Sequence, residues 1–274
     1  MSCESVDWSD VAEGWGRHRR AVEAMKSKVT ASLLARLEAR PGERLLELGS
    51  ATGELAAQLA AIVGSQGSLI ASDVADGMVG LLKERLADLP NTTVTQIDAC
   101  DIPLTDGSVD AVVFRMGLML IEDPDVALRE IRRVLKPGGR FVGAVWASPQ
   151  ENPWLTSVGM SAMMHGLVSG GPPIGPGGPF SLADAHALTV RMTASGLDKV
   201  TVDEVKVTAI HVDADSLFSH VIALAPPLAT ALSAASPEAK AAVRTTVGEL
   251  TSQFRRGDHL EIPGRALLFS ARRP

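Results

Sequence analysis

Between Arg44 and Trp146 the chain alternates short apolar runs with stretches of helical periodicity, and that alternation constrains the fold more tightly than any other feature. RLLEL (Arg44 to Leu48) closes on GSATG, after which ELAAQLAAIV repeats apolar residues at helical spacing until Gly64 and Gly67 stop it. SLIASD (Ser68 to Asp73) precedes a predicted helix over Gly77 to Leu86, and TVTQID (Thr93 to Asp98) follows. VDAVVF (Val109 to Phe114) leads into a helix over Asp125 to Leu135, and after the break at KPGG the run RFVGAVW (Arg140 to Trp146) supplies a fifth strand. Strands joined through helices predict a parallel sheet with helices on both faces.

The flanks follow a different pattern. A helical stretch over Val11 to Arg40 precedes the sheet, and a Met-rich helix is predicted over Asn152 to Val168, ahead of the loop GGPPIGPGGP. Ser181 is the expected N-cap of a helix ending near Ser195, with Gly196 as its stop. VTVDEVKVTAI (Val200 to Ile210) and RALLFSARR alternate as strands, with helical segments between them around Pro226-Pro227. The expected architecture is therefore α/β: a mostly parallel seven-stranded sheet, extra N-terminal helices and a helical lid. Residues 1–40 form the N-terminal part of the cap, 41–147 the core, and 148–274 the lid helices and two strands that complete the same sheet.

Composition narrows the function classes. Hydrophobic residues make up 46% of the 274 residues, enough to bury a large core. The net charge is −6 and the basic pairs are scattered, so no surface for a nucleic-acid backbone is expected. The acidic start MSCESVDWSD is unlike a secretory leader and no apolar run is long enough to span a bilayer, so a cytoplasmic protein without a membrane partner is expected. Cys3 and Cys100 stand far apart without a CxxC or Cys/His grouping; two plain thiols and no metal are expected.

The turn after the first strand reads Glu47-Leu48-Gly49-Ser50-Ala51-Thr52-Gly53-Glu54. Such a turn brings backbone N–H groups to a ligand at a helix N-terminus. A dinucleotide site would place its last Gly where this chain has Glu54, and Glu47 and Glu54 would both repel a pyrophosphate. A ligand without phosphate and with a positive centre fits better. Asp73 ends the second strand 20 residues beyond Gly53 (73 − 53), where a carboxylate can accept from both ribose hydroxyls, and Asp98 falls on the same sheet edge.

Taken together, ERLLELGSATGELA, ASDVADGM and QIDACDIPLTDGSVDAVVFRMGLMLIEDPDVALREIRRVLKPGGRFVGAVW resemble the class I S-adenosylmethionine-dependent methyltransferases, in particular the small-molecule group similar to the ubiquinone/menaquinone-biosynthesis C-methyltransferases. The resemblance spans roughly residues 40 to 147 and implies a Rossmann-like fold with S-adenosyl-L-methionine as cofactor and S-adenosyl-L-homocysteine as product. It implies that Glu47, Gly49, Ser50, Ala51 and Gly53 surround the methionine part, that Asp73 holds the ribose, and that Val74 and Met78 pack on the adenine. Asp98 would take the adenine amino group, Ala99 would offer backbone to the ring, and Arg115 and Met116 would line the floor below the sulfonium. The family usually has Gly where this chain has Ala51.

For the acceptor side the expectations are broader. Methyl transfer is an in-line displacement and needs no covalent nucleophile, but a base helps when the acceptor is a hydroxyl or protonated nitrogen. His165, His18 and His211 are the candidates, each more readily read as a surface or capped histidine. Met160, Met163 and Met164 share a helix face and, with Trp154, can form an adaptable apolar lid or simply core. Trp8 and Trp15, seven apart, share a face that can close the site; Trp15, Met119 and Trp146 are further candidates for the acceptor pocket. The expected partner is a small, largely apolar acceptor of secondary metabolism, methylated at C, O or N; a homodimer is carried as one option. FRMG after the fourth strand replaces the Asn/Asp-Pro-Pro-aromatic motif of nucleic-acid amino-methylating enzymes. Two rivals are a protein that binds the cofactor without transferring methyl, cyclase-like or regulatory, and a nicotinamide-dependent oxidoreductase.

Overall fold

The computed structural model describes residues 8–169 and 173–274. After a 3-10 turn at Trp8–Val11 comes α1 (Ala12–Leu37). The core follows as β1 (Arg44–Leu48), α2 (Glu54–Val63), β2 (Ser68–Asp73), α3 (Asp76–Arg85), β3 (Thr92–Gln96), β4 (Val109–Arg115), α4 (Pro124–Val134) and β5 (Leu135–Trp146). The C-terminal part adds α5 (Pro153–Met164), α6 (Ala185–Ala194), β6 (Asp198–His211), α7 (Ala214–Leu224), α8 (Pro226–Ser233), α9 (Pro237–Thr251), β7 (Arg255–Arg256) and β8 (His259–Arg272).

The sheet runs β3-β2-β1-β4-β5-β8-β6, with the two-residue β7 paired to β8 as an eighth strand beyond the seven expected. β1 to β5 are parallel, and β8 is antiparallel to both its neighbours, β5 and β6. β1, β4 and β5 read as apolar runs because helices cover both faces of the sheet. The chain leaves β1 toward β2 and β3 and returns on the other side as β4. The order therefore reverses between β1 and β4, and the crevice beyond their carboxyl ends is where such sheets take ligands.

Local chemistry sets the element ends. Asp123 caps α4 by accepting from Asp125 N, with Pro124 at the first helical position, and Ala127, Leu128, Ile131 and Val134 form its buried stripe. KPGG is not a break but the irregular start of β5, where the register with β4 shifts between Val109 and Ala111. Ser181 is not a helix cap: its hydroxyl donates to the Met119 carbonyl at 2.6 Å, while the Asp184 carboxylate accepts from His186 N and Ala187 N and starts α6. Cys100 is disulfide-bonded, so the thiol expectation does not hold for it. The expectation for Cys3 lies outside the described residues, as does Gly170 to Pro172 of the Gly/Pro loop.

Two features hold the flanks over the crevice. α1 buries Val22, Met25, Val29, Leu33 and Leu37 along one face, and the same face carries two polar residues, Lys26 and Thr30. The start of α5 is pinned by Asn152, fully buried, whose amide donates to the carbonyls of Ala147, Ser148 and Arg265 and accepts from Arg265 N and Trp154 Nε1. With donors and acceptor both satisfied, this buried amide fixes one arrangement of β5, β8 and α5. Among the described residues, no single helix is long and apolar enough to cross a membrane.

Candidate active site

The turn between β1 and α2 takes the left-handed conformation three times, at Gly49 (φ 61°), Ala51 (φ 48°) and Gly53 (φ 79°). At Gly49 a Cβ would lie 3.0 Å from the Phe114 ring, and at Gly53 it would lie 3.0 Å from Leu82 and 3.2 Å from the Arg85 side chain. Ala51 adopts this conformation although a side chain there costs about 1–2 kcal/mol. Its N–H donates to Asp73 Oδ2 at 3.0 Å and its methyl packs against the buried cluster of Ala12, Ala75 and Met78, contacts that hold the strained turn.

Asp73, at the end of β2, is the organiser of this edge. Oδ2 takes the Ala51 N–H and Oδ1 the Ala75 N–H at 3.1 Å, and the side chain lines the cleft while being 7% exposed. Burial raises its pKa, opposed by those backbone donors. Glu47 lies beneath the turn. Burial pushes its pKa up to about 7, against the attraction of Arg115, and its Oε2 is buried without a hydrogen-bond partner among the described residues. A buried acceptor left open costs roughly 1–3 kcal/mol, so the site is chemically incomplete without a donor here. Glu54 is different: it pairs with Arg19 at 3.6 Å and Arg85 at 3.4 Å, and accepts from the Thr52 hydroxyl. Its charge is compensated, which weakens the repulsion of a pyrophosphate that spacing alone assigned to it.

Opposite the turn, α1 and the end of β4 bring together four charged or polar groups. Arg115 forks onto Glu23 with bonds of 2.8 and 2.7 Å and donates to the Thr30 hydroxyl at 2.5 Å. Lys26 Nζ lies 3.0 Å from Glu23 Oε1 and 5.6 Å from the Trp15 ring centre. Burial opposes ionisation of Glu23, but Lys26 and Arg115 overcome it and hold the carboxyl near 2. Burial and the neighbouring Arg115 lower Lys26 to about 8, against the pull of Glu23.

Two cavities meet here. A cleft of about 80 Å³ runs along the strand tips and is lined by Gly49, Ser50, Ala51, Asp73, Val74, Met78, Ala99, Arg115 and Met116 among the expected cofactor residues. A chamber of about 370 Å³ beside it is lined by the expected Trp15, Met119, Trp146, Trp154 and Met160, together with Met25, Phe180, Val221 and Leu224. Trp8, Trp15, Lys26, Met116 and Leu120 line both. Met116 holds the boundary in a left-handed conformation (φ 67°), and Trp146 meets Trp154 edge to face at 5.2 Å.

Other expected residues stand elsewhere. Asp98 follows β3 and its Oδ1 accepts from Cys100 N at 2.9 Å, while its neighbours Ile97 and Ala99 line the cleft. Gly53 starts α2, and Met164 is 64% exposed rather than in the chamber wall. His165 ends α5, with Nε2 2.9 Å from the Thr246 hydroxyl of α9. His18 and His211 stack edge to face on His220, at 5.2 and 5.1 Å, in a seam between α1, β6 and α7. None of these three histidines lines the described chamber. The residues that sequence reasoning missed are Glu23, Lys26 and Thr30. Their signal was present: polar residues spaced three and four apart on the α1 face that otherwise reads Val22, Met25, Val29, Leu33.

A parallel sheet with a reversed strand order, a left-handed glycine turn and a carboxylate at the end of the second strand define a nucleoside-binding α/β fold. The methyltransferase domain family matches residues 46–143. The ubiquinone/menaquinone biosynthesis C-methyltransferase of Teredinibacter turnerae is 36% identical over 116 residues, covering 41% of this chain and 47% of that protein. The same enzyme from Cellvibrio japonicus is 38% identical over 115 residues, covering 41% and 46%. The chain therefore spans less than half the length of these relatives. A methyltransferase-like structure from Bacillus halodurans superposes with TM-score 0.60 at 16% identity, covering 89% of this chain and 98% of that one. The [4+2]-cyclase SpnF gives 0.55 at 19%, covering 100% and 99%. At these identities the likeness is one of fold. Residues 46–143 thus match a methyltransferase domain, and this part of the chain is similar to the ubiquinone/menaquinone-biosynthesis C-methyltransferases.

Proposed function

We propose that the protein transfers a methyl group from S-adenosyl-L-methionine to a small, largely apolar acceptor at C, O or N. The observation that carries this reading is the junction itself: a cleft with a ribose-type carboxylate meets an apolar chamber at Met116, Lys26 and Trp15. The residues present fit the donor. Glu47 Oε2 would receive its ammonium, Asp73 its ribose hydroxyls, and Val74, Met78 and Ala99 its adenine. When bound, the donor supplies an electrophilic methyl group on a sulfonium.

The chain supplies position and dryness. Residues 41–147 would bind the donor, while 1–40 and 148–274 would cover the acceptor. Alignment of acceptor and methyl in such a site can remove about 7–11 kcal/mol of barrier without a covalent nucleophile. Trp146, Trp154, Met119 and Met160 form walls that exclude water from the acceptor. The absence of a basic cluster in the sequence supports a small metabolite, and a setting in cytoplasmic secondary metabolism is part of the proposal. Incubation with methyl-labelled donor and an extract of apolar metabolites tests it. Label in a small organic product supports methyl transfer; binding of the donor with no label transferred to any small product contradicts it.

A further inference from the structure

We propose that Lys26 receives the reacting hydroxyl of the acceptor, and that the acceptor is accordingly an apolar molecule bearing a phenolic or enolic OH, bound as its oxyanion against the Lys26 ammonium. The inference rests on the methyl-transfer reading above and deepens it.

Lys26 is the single ionisable side chain among the described residues that line the chamber. Apart from the hydroxyls of Thr156 and Ser169, the polar ends of the tryptophans and backbone, the walls are aliphatic, sulfur-bearing or aromatic. Lys26 is also one of the few residues shared with the cleft, so a group held on it sits where the methyl must cross. A cation in an apolar wall is costly unless paired, and long flexible lysines are seldom buried without a use. Here Lys26 is 5% exposed.

Its pairing is incomplete in a way that selects the ligand. Glu23 is one carboxylate facing two cations, Lys26 and the bidentate Arg115. Glu54, the other carboxylate that acts on Lys26, is itself paired with Arg19 and Arg85, and Glu47 would be taken by the donor's ammonium, so the cluster keeps a positive surplus. An ammonium has three N–H donors, and among the described residues Glu23 takes one. An oxyanion satisfies both the donors and the charge, whereas a protonated amine would be repelled.

The Lys26 amine, accessible near neutral pH because burial lowers its basicity, takes the acceptor's hydroxyl proton: the O–H bond breaks with its electron pair left on oxygen, and an N–H bond forms. The oxyanion, or the carbon conjugated with it, bonds to the methyl carbon as the sulfur–methyl bond breaks and its pair passes to sulfur. The Lys26 ammonium then releases its proton to water; after transfer to carbon, that carbon's hydrogen leaves to water instead and the oxygen takes its proton back. One proton is released per methyl moved.

The test uses full-length protein saturated with S-adenosylhomocysteine and two coloured probes, 4-nitrophenol and the larger 4-nitro-1-naphthol, whose ionised forms absorb in the visible. Expected is at least a tenfold rise in the bound phenolate-to-phenol ratio at fixed pH for one of them. Lys26→Met abolishes that rise while S-adenosylhomocysteine binds within about threefold of the parent. Lys26→Arg retains the bound phenolate but loses the pH dependence of turnover near 8. Phenols that titrate as in water with both probes, a shift that survives Lys26→Met, or tighter binding of 2-naphthoate than of 2-naphthol overturns the proposal. So does a tenfold or larger loss of S-adenosylhomocysteine affinity in Lys26→Met, which would assign Lys26 to the donor's carboxylate. Absence of S-adenosylhomocysteine binding in the parent contradicts the methyl-transfer reading instead, so the two failures are separable.

Discussion

The cleft and the chamber share a wall but are built by different physics. The cleft is made by backbone: a turn with three left-handed residues, a carboxylate at a strand end, and N–H groups aimed at it. The chamber is made by side chains from elements distant in sequence, Met25 on α1, Trp154 on α5, Phe180 in a loop and Val221 on α7, which meet only after the flanks dock. A backbone-built site tolerates little change in position, whereas a side-chain-built one can be resized by substitution. This division predicts that donor recognition and acceptor recognition separate under mutation.

The largest expected effect is on the chamber side. Trp154→Ala removes a buried ring that packs on Trp146 and bonds Asn152, and is expected to cost about 3–5 kcal/mol of stability by denaturant titration while leaving S-adenosylhomocysteine affinity within threefold. A parallel loss of affinity would erase the division. Asp73→Ala is the converse. It removes the acceptor for two backbone N–H groups and, on the proposed reading, for the ribose, and calorimetry is expected to show about 100-fold weaker S-adenosylhomocysteine binding, near 3 kcal/mol from charge-assisted hydrogen bonds.

These two sites were unequally legible in the sequence. Gly49, Gly53 and Asp73 announce themselves because their places depend on spacing within one strand–turn–helix unit and its neighbour. Lys26 and Phe180 do not, since their roles depend on where α1 and the Gly/Pro loop come to rest. The histidines show the same limit: His165 sits at a helix end and is spent on Thr246, and His18 and His211 find a ring partner, His220, that no local pattern singles out. The overall sheet was legible because strand–helix alternation allows few topologies, while the extra β7 and the irregular start of β5 arise from pairing between distant segments.

pH sharpens the comparison. On the cleft side, a bound ammonium favours ionised Glu47, whose pKa stands near 7. S-adenosylhomocysteine affinity is therefore expected to rise with pH up to about 7, by at most about tenfold per unit, and then level; Glu47→Gln flattens the profile. Beside the chamber, burial lowers His211 to about 4 and His220 to about 3, with the His18 and His211 neighbours adding to the effect and Asp213 opposing it at His211. The unfolded chain binds these protons near pH 6.5 and the folded one does not. Stability is thus full above about 6.5 and falls as pH drops toward the folded values, by up to about 1.4 kcal/mol per unit for each histidine. Replacing His220 with Leu is expected to reduce that slope in denaturant titrations at successive pH values. The smallest effect is expected at Met164→Gln, which is solvent-facing: within about 0.5 kcal/mol in stability, with unchanged acceptor preference where Met160→Ala alters it.

An adenosyl ligand is proposed to lie across the tips of β1, β2 and β4 with its reacting end at Met116 and Lys26. Isothermal titration with S-adenosylhomocysteine tests this most directly, in buffers of different ionisation enthalpy near pH 7. One-to-one binding with proton release is the result expected from Glu47; absence of heat, or equal binding by Asp73→Ala, would contradict it.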